Sequence, residues 1–179
     1  MISLRVQSVL EELERLEQTF VIKGVPDAYK EIWVPNNEIR LWSIPRRTGQ
    51  LLHMFVLAHR PKTILELGTS AGYSTLWLAT AAEQLGSKVH TIELTQPKYD
   101  LARTHFATAG LTDSIIQIQG SIHDVLTTWN KKIDFVFLDA DKPQYRHYLE
   151  LLEPHLEPGA MLIADNAIDF GPFMQDYLS

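Results

Sequence analysis

The stretch Thr63-Ile64-Leu65-Glu66-Leu67-Gly68-Thr69-Ser70-Ala71-Gly72-Tyr73-Ser74 decides the fold. A short β-rich run, Thr63–Leu67, leads directly into a glycine-bearing turn, and a helical pattern through Leu76–Ala82 follows. Gly68 and Gly72 let the backbone turn sharply and approach a ligand, and the next helix begins with free N–H groups. The dinucleotide pattern G-x-G-x-x-G would need glycine at positions 70 and 73, where Ser70 and Tyr73 stand, and the Walker Gly-Lys pair is absent. A tight strand–helix turn with no ligand is the plainer alternative for this segment taken alone.

Downstream, the alternation repeats. Val89–Leu94, Ile115–Gln119, Ile133–Leu138 and Met161–Ala164 read as further strands. Helical patterns over Pro97–Ala109, Ser121–Trp129 and Gln144–Leu152 separate them. Strand–helix units of this kind require parallel pairing, because each helix returns the chain to the same end of the sheet. The strands are nearly all apolar, as expected when both faces are covered. The expected fold is therefore α/β, a doubly wound and mostly parallel sheet. Upstream, residues 4–20 form an amphipathic helix pattern, residues 21–45 are irregular, and a helix runs from Thr48 to just before Pro61. We read residues 1–179 as one domain, with 1–45 as helix and arm and 46–179 as core.

Composition narrows the function. The 179 residues are 45% hydrophobic and 21% charged, near globular averages. Zero cysteines removes disulfides, thiolate metal sites and cysteine nucleophiles together. A net charge of −6 argues against a broad nucleic-acid surface, while Arg46, Arg47, Lys131 and Lys132 leave a local basic patch open. No apolar run approaches a membrane span, and no signal peptide is evident, so a soluble, cytoplasmic protein is expected. The seven histidines are scattered, with no H-x-H or H-E-x-x-H spacing, and His123 alone is a candidate neighbour of a nucleobase.

In an open parallel sheet, ligands bind at the carboxyl ends of the strands. Glu93 closes strand two, at the distance downstream where an acid accepts ribose hydroxyls. Asp139-Ala140-Asp141-Lys142 follows strand four and Asp165-Asn166 follows strand five. Two carboxylates and an amide carbonyl make a hard, all-oxygen site suited to Mg²⁺, Mn²⁺ or Ca²⁺. Helix caps and turn formers are the structural alternative for these residue types.

These motifs, with Thr48-Gly49-Gln50-Leu51-Leu52 and Tyr145, resemble the class I S-adenosylmethionine-dependent methyltransferases. More narrowly, they resemble the cation-dependent O-methyltransferases acting on catechol and caffeoyl-CoA, including small bacterial types. The resemblance implies a Rossmann-like sheet with S-adenosylmethionine and Mg²⁺ (or Mn²⁺/Ca²⁺) as cofactors. It implies that Ser43, Ile44, Glu66, Gly68, Ser70, Gly72 and Ser74 hold the cofactor around its methionine part. Glu93 would take the ribose, and Gly120, Ser121 and Ile122 the adenine. Asp139 would lie at both the cofactor and the metal, with Asp165 and Asn166 completing the metal site. Lys142 and Asp139 would be catalytic.

The chemistry of those roles is consistent. A phenolic hydroxyl ionises near pKa ~10, and a dication holding two adjacent hydroxyls lowers that value. An ammonium group close to a dication has a depressed pKa, so it can shed its proton and, as the amine, receive the one from the hydroxyl. Methyl transfer then mostly requires positioning. The expected acceptor is a small catechol-like aromatic molecule. Methylation of a hydroxylated tRNA base, or an inactive cofactor-binding partner subunit, are the alternatives. Arg46 and Arg47 are more basic than the family's usual stretch here and are candidates for an acidic group on the substrate. Thirteen residues follow Asn166, too few for a helix and the family's two final strands. The expectation is a five-stranded core with those C-terminal strands missing, Met161–Ala164 at its edge, and a homodimer of reduced activity covering that edge.

Overall fold

The computed structural model describes residues 2–23, 41–168, 171–173 and 175–179. Most of the irregular segment, 24–40, thus lies outside the described residues. The elements in chain order are α1 (Leu4–Lys23), α2 (Arg46–His59), β1 (Thr63–Leu67), α3 (Tyr73–Leu85), β2 (Lys88–Glu93) and α4 (Gln96–Ala109). They continue with β3 (Ile115–Gln119), α5 (Ile122–Thr127), β4 (Ile133–Leu138), α6 (Tyr145–Leu152), β5 (Leu156–Ala164) and α7 (Gln175–Leu178). All strand pairs are parallel, in the order β3-β2-β1-β4-β5. The chain reverses its direction of travel across the sheet between β1 and β4, and such a switch point opens a crevice at the carboxyl ends.

Two apolar layers cover the sheet. Ile64, Phe135 and Phe137 pack with residues of α1 to α4, including Leu10, Leu13, Leu52 and Trp77. Leu65, Leu67, Val136 and Leu138 pack on the other side with Leu126, Tyr145 and Leu152 of α5 and α6. Alternate residues of β1 and β4 thus serve opposite faces, which is why these strands read as continuous apolar runs. The N-terminal helix belongs to the same core through Val6, Val9, Leu10 and Leu13. Gly49 of α2 meets the indole of Trp77 so closely that a Cβ there would fall 2.3 Å from its Cδ1. The glycine in Thr48-Gly49-Gln50 is therefore a helix-packing requirement.

Several element ends differ from expectation: α2 begins at Arg46, α3 spans Tyr73–Leu85, β2 spans Lys88–Glu93 and α5 ends at Thr127. α1 continues to Lys23, and β5 begins at Leu156 instead of Met161. The early part of β5 contains Pro158 and Gly159, which argue against a strand in a sheet interior. At an edge, the N–H that proline lacks is not required. β5 is that edge, and among the described residues no further strand pairs with it. Among the described residues, no helix is long and apolar enough to cross a membrane.

Candidate active site

The strand register places the candidate residues at one level. Leu67 pairs with Ile92 and with Leu138, and Leu138 pairs with Ala164. The residues just beyond are stapled sideways. The Gly68 amide donates to the Ile92 carbonyl (3.2 Å), Asp139 to Leu67 (3.0 Å), Asp165 to Leu138 (2.9 Å) and Gly120 to Glu93 (2.9 Å). Gly68, at φ +103°, lies so close to the Asp139 carbonyl that a Cβ would fall 2.1 Å from its oxygen. No other residue fits at that crossing of two loops.

Above these ends lies a cavity of about 860 Å³. Ser43, Ile44, Gly68, Ser70, Ser74 and Glu93 line one side, and Asp139, Lys142, Asp165 and Asn166 another. Four expected cofactor residues and the inner acid do not reach it. Gly72, Gly120, Ser121 and Ile122 are absent from the lining, and Glu66 is wholly buried beneath it. Gly72 turns its backbone against Phe106, and the Ser121 hydroxyl caps α5 by accepting from the Asp124 amide (3.1 Å).

Glu66 is therefore a support and not a lining group. Its carboxylate accepts from the hydroxyls of Ser74 (2.6 Å), Thr75 (2.5 Å) and Thr91 (2.6 Å). Burial pushes its pKa up to about 7, although all three hydrogen bonds favour the charged form. Glu93 works at the surface of the same half. It accepts the amide of Ser70 (3.0 Å) on Oε2, and the amide and hydroxyl of Thr95 (both 2.9 Å) on Oε1. The Ser70 hydroxyl donates to the Leu41 carbonyl (2.8 Å), tying the N-terminal arm to the turn. Ser70 stands where a dinucleotide-binding turn has glycine, and it adopts a left-handed φ of +47°.

On the other side, Lys142 Nζ donates to Asp139 Oδ1 (2.5 Å) and to the Tyr145 hydroxyl (2.9 Å). Tyr145 is fully buried and its hydroxyl donates to the Leu138 carbonyl (3.0 Å). Burial, and after it the charge of Asp139, raises the Tyr145 pKa well above the ordinary phenol value. It stays a neutral anchor for Lys142. Asn166 takes φ +61°, a left-handed conformation that asparagine tolerates, and this turns the chain at the cavity edge.

Sequence reasoning missed Trp42 and Lys98, both of which line the cavity, with Lys98 Nζ 5.0 Å from the Trp42 ring centre. Burial lowers the Lys98 pKa, opposed by the charges of Glu93, Glu17 and Asp139. The available signal was position: Trp42 precedes Ser43, and Lys98 sits in the first turn after strand two. Arg46 is a correction. Its guanidinium holds Glu14 of α1 at 2.9 Å, and Glu14 also accepts the Tyr73 hydroxyl. It braces α1 against the core and is not presented to a substrate.

A second hollow of about 520 Å³ opens at the amino ends of the strands. Its cations are engaged by the fold: Lys132 Nζ donates to the Pro154 carbonyl (3.3 Å), and Lys131 Nζ lies 3.0 Å from His90 Nε2. Asp134 and Glu157 also line this hollow, whereas Asp139 and Asp165 stand with Lys142 and Asn166 at the carboxyl end, where the switch point is.

The chain is similar to known proteins over most of its length. A catechol O-methyltransferase from Niastella koreensis is 33% identical over 138 residues, covering 75% of this chain and 62% of that protein. The catechol O-methyltransferase of Sus scrofa is 33% identical, covering 72% of this chain and 73% of its own. The crystal structure of the O-methyltransferase from Bacillus cereus in complex with SAH matches at a TM-score of 0.72 and 27% identity. That match covers 94% of this chain and 70% of the other. The chain spans 62%, 61% and 46% of the length of the first three curated relatives it matches. The sequence also matches the family described as "Methyltransferase domain" over residues 65–167. That match begins inside β1 and ends one residue past Asn166, so it takes in every strand end that builds the cavity, and the chain belongs to the methyltransferase-domain family.

Proposed function

We propose that this protein transfers the methyl group of S-adenosylmethionine to one hydroxyl of a small aromatic acceptor carrying two adjacent hydroxyls. A divalent cation of the Mg²⁺ type assists. The single observation that carries this reading is Lys142 Nζ held 2.5 Å from Asp139 on a cavity wall shared with Asp165 and Asn166. The donor set fits a hard cation. Its atoms are all oxygen, they stand at the ends of adjacent strands, and Asp139 keeps Oδ2 when Oδ1 accepts from Lys142. When bound, such a cation would lower the pKa of a chelated hydroxyl and fix the ring.

The chain's own residues would do the rest. Lys142 Nζ, as the neutral amine left once its own proton is shed beside the dication, would receive the hydroxyl proton, and Tyr145 holds that nitrogen at the cavity wall. Glu93 would accept a ribose hydroxyl. Three of its roughly four lone-pair sites already take protein donors, so Oε2 accepts one hydroxyl and the second requires Thr95 Oγ1 to turn away. Glu66 would hold Ser74, and thereby the turn around the methionine part, from below. An adenine held by Gly120, Ser121 and Ile122 would extend beyond the cavity lining, past Glu93, to whose backbone Gly120 is bonded.

The test is incubation with labelled S-adenosylmethionine and a catechol panel, with and without EDTA. Label transferred only with the metal present supports the reading. Metal-independent turnover would sink the role of the cation. Cofactor binding with no turnover on any acceptor would favour a partner subunit, and salt-sensitive competition by bulk tRNA would favour a nucleic-acid acceptor.

A further inference from the structure

Folding brings together two histidines that the sequence keeps 24 residues apart. His123 lies on α5 and His147 on α6. Nδ1 of the first is 2.9 Å from Nε2 of the second, and the rings are stacked at 17° with centroids 5.2 Å apart. The contact is open to solvent. A hydrogen bond between two imidazoles requires a nitrogen lone pair on one of them, so at least one ring is neutral.

With both rings neutral, two lone pairs can serve one ion. Two ligands about 2.0–2.1 Å from a metal stand about 2.9 Å apart at right angles and about 3.3 Å apart at the tetrahedral angle. The observed separation, here that of a hydrogen bond, equals the right-angled one, so an ion would take the place of the bridging proton once each ring carries its N–H on the other nitrogen. Imidazole nitrogen favours copper, nickel and zinc over magnesium and calcium, and tetragonal geometry with nitrogen ligands points to Cu²⁺ or Ni²⁺. Neither histidine lines the oxygen-rich cavity.

We propose that His123 and His147 form a two-imidazole site for a divalent transition ion of the Cu²⁺ or Ni²⁺ type, clasping α5 to α6. Among the described residues, no group of three or more His, Cys, Asp or Glu could hold a metal ion. The remaining positions are therefore filled by water, and the ion exchanges readily. The clasp joins the helix that begins at Ile122 to the helix that begins at Tyr145, three residues after Lys142. An ion bound there adds a cross-link that the unfolded chain lacks, so it raises the unfolding temperature. This inference does not depend on the proposed methyl transfer.

The experiment uses the full chain with Ni²⁺ in titration calorimetry and Cu²⁺ in electron paramagnetic resonance. Wild type, His123→Ala, His147→Gln and Asp165→Asn are compared. The expected result is one imidazole-bound ion per chain, with hyperfine structure from two imidazole nitrogens and a rise in unfolding temperature. Either histidine substitution weakens binding by about tenfold or more, as even the loss of an outer-shell partner does, while Asp165→Asn leaves it unchanged. Unfolding temperatures without metal establish that each variant is folded. Equal affinity in wild type and His147→Gln, or loss of binding in Asp165→Asn alone, would overturn the proposal by assigning the ion elsewhere.

Discussion

The two halves of the cavity are built differently. On the β1–β2 side, Glu66 and Glu93 together accept six hydrogen bonds from Ser70, Ser74, Thr75, Thr91 and Thr95. On the β4–β5 side, Asp139 is met by Lys142, and Asp139, Asp165 and Asn166 are all half-buried at the cavity wall. The first half is finished by the fold and supports a loop. The second presents oxygen atoms to whatever enters. Polar groups satisfied within the protein's own hydrogen bonds hold the fold in place, whereas groups turned toward a ligand are available for chemistry.

If that contrast is right, substitutions on the two sides fail in different assays. The largest expected effect is on turnover. Lys142→Met should lower kcat by about 10²–10⁴-fold, the usual contribution of a positioned acid or base, with S-adenosylmethionine affinity and unfolding temperature little changed. A comparable loss of cofactor binding, measured by calorimetry, would show that the halves are not separate.

The next effect is on stability. Glu66→Ala leaves the hydroxyls of Ser74, Thr75 and Thr91 without their shared acceptor, and should cost about 3 kcal/mol in chemical denaturation. Glu66→Gln sharpens the point through pH. The folded carboxyl binds its proton up to about pH 7, against an ordinary value of 4.5, so the folded state holds a proton that the unfolded state has released. Wild-type stability should therefore fall as pH rises from about 4.5 to about 7, by roughly 3 kcal/mol, and level off above it. Glutamine does not titrate, and that component of the slope should vanish. A slope of the same size in the variant would assign it to other groups.

Tyr145→Phe tests the open side again. Removing the hydroxyl that holds Lys142 Nζ should reduce kcat more than KM, and by less than Lys142→Met does. The smallest effect is expected at Arg46→Ala. Its ion pair with Glu14 is about one-third exposed on both sides, and it should be worth at most about 1 kcal/mol, with catalysis unaffected.

The sequence by itself determined the order and type of the elements and the acids that end the strands. Both follow from local information: apolar runs of strand length, glycine at a sharp turn, and polar residues immediately after each run. Glu66 illustrates the limit. Its neighbours in sequence identify it as part of the turn, but the alternation of a buried strand does not reveal whether a given carboxylate faces a ligand or three hydroxyls. Tertiary structure decided that, because Thr91 meets Glu66 only through the β1–β2 pairing. The same holds for Lys98 beside Trp42, Arg46 on Glu14 and His123 against His147. Each pair is separated by more than 20 residues, and only the packing of whole elements on a sheet ordered β3-β2-β1-β4-β5 brings its members within reach.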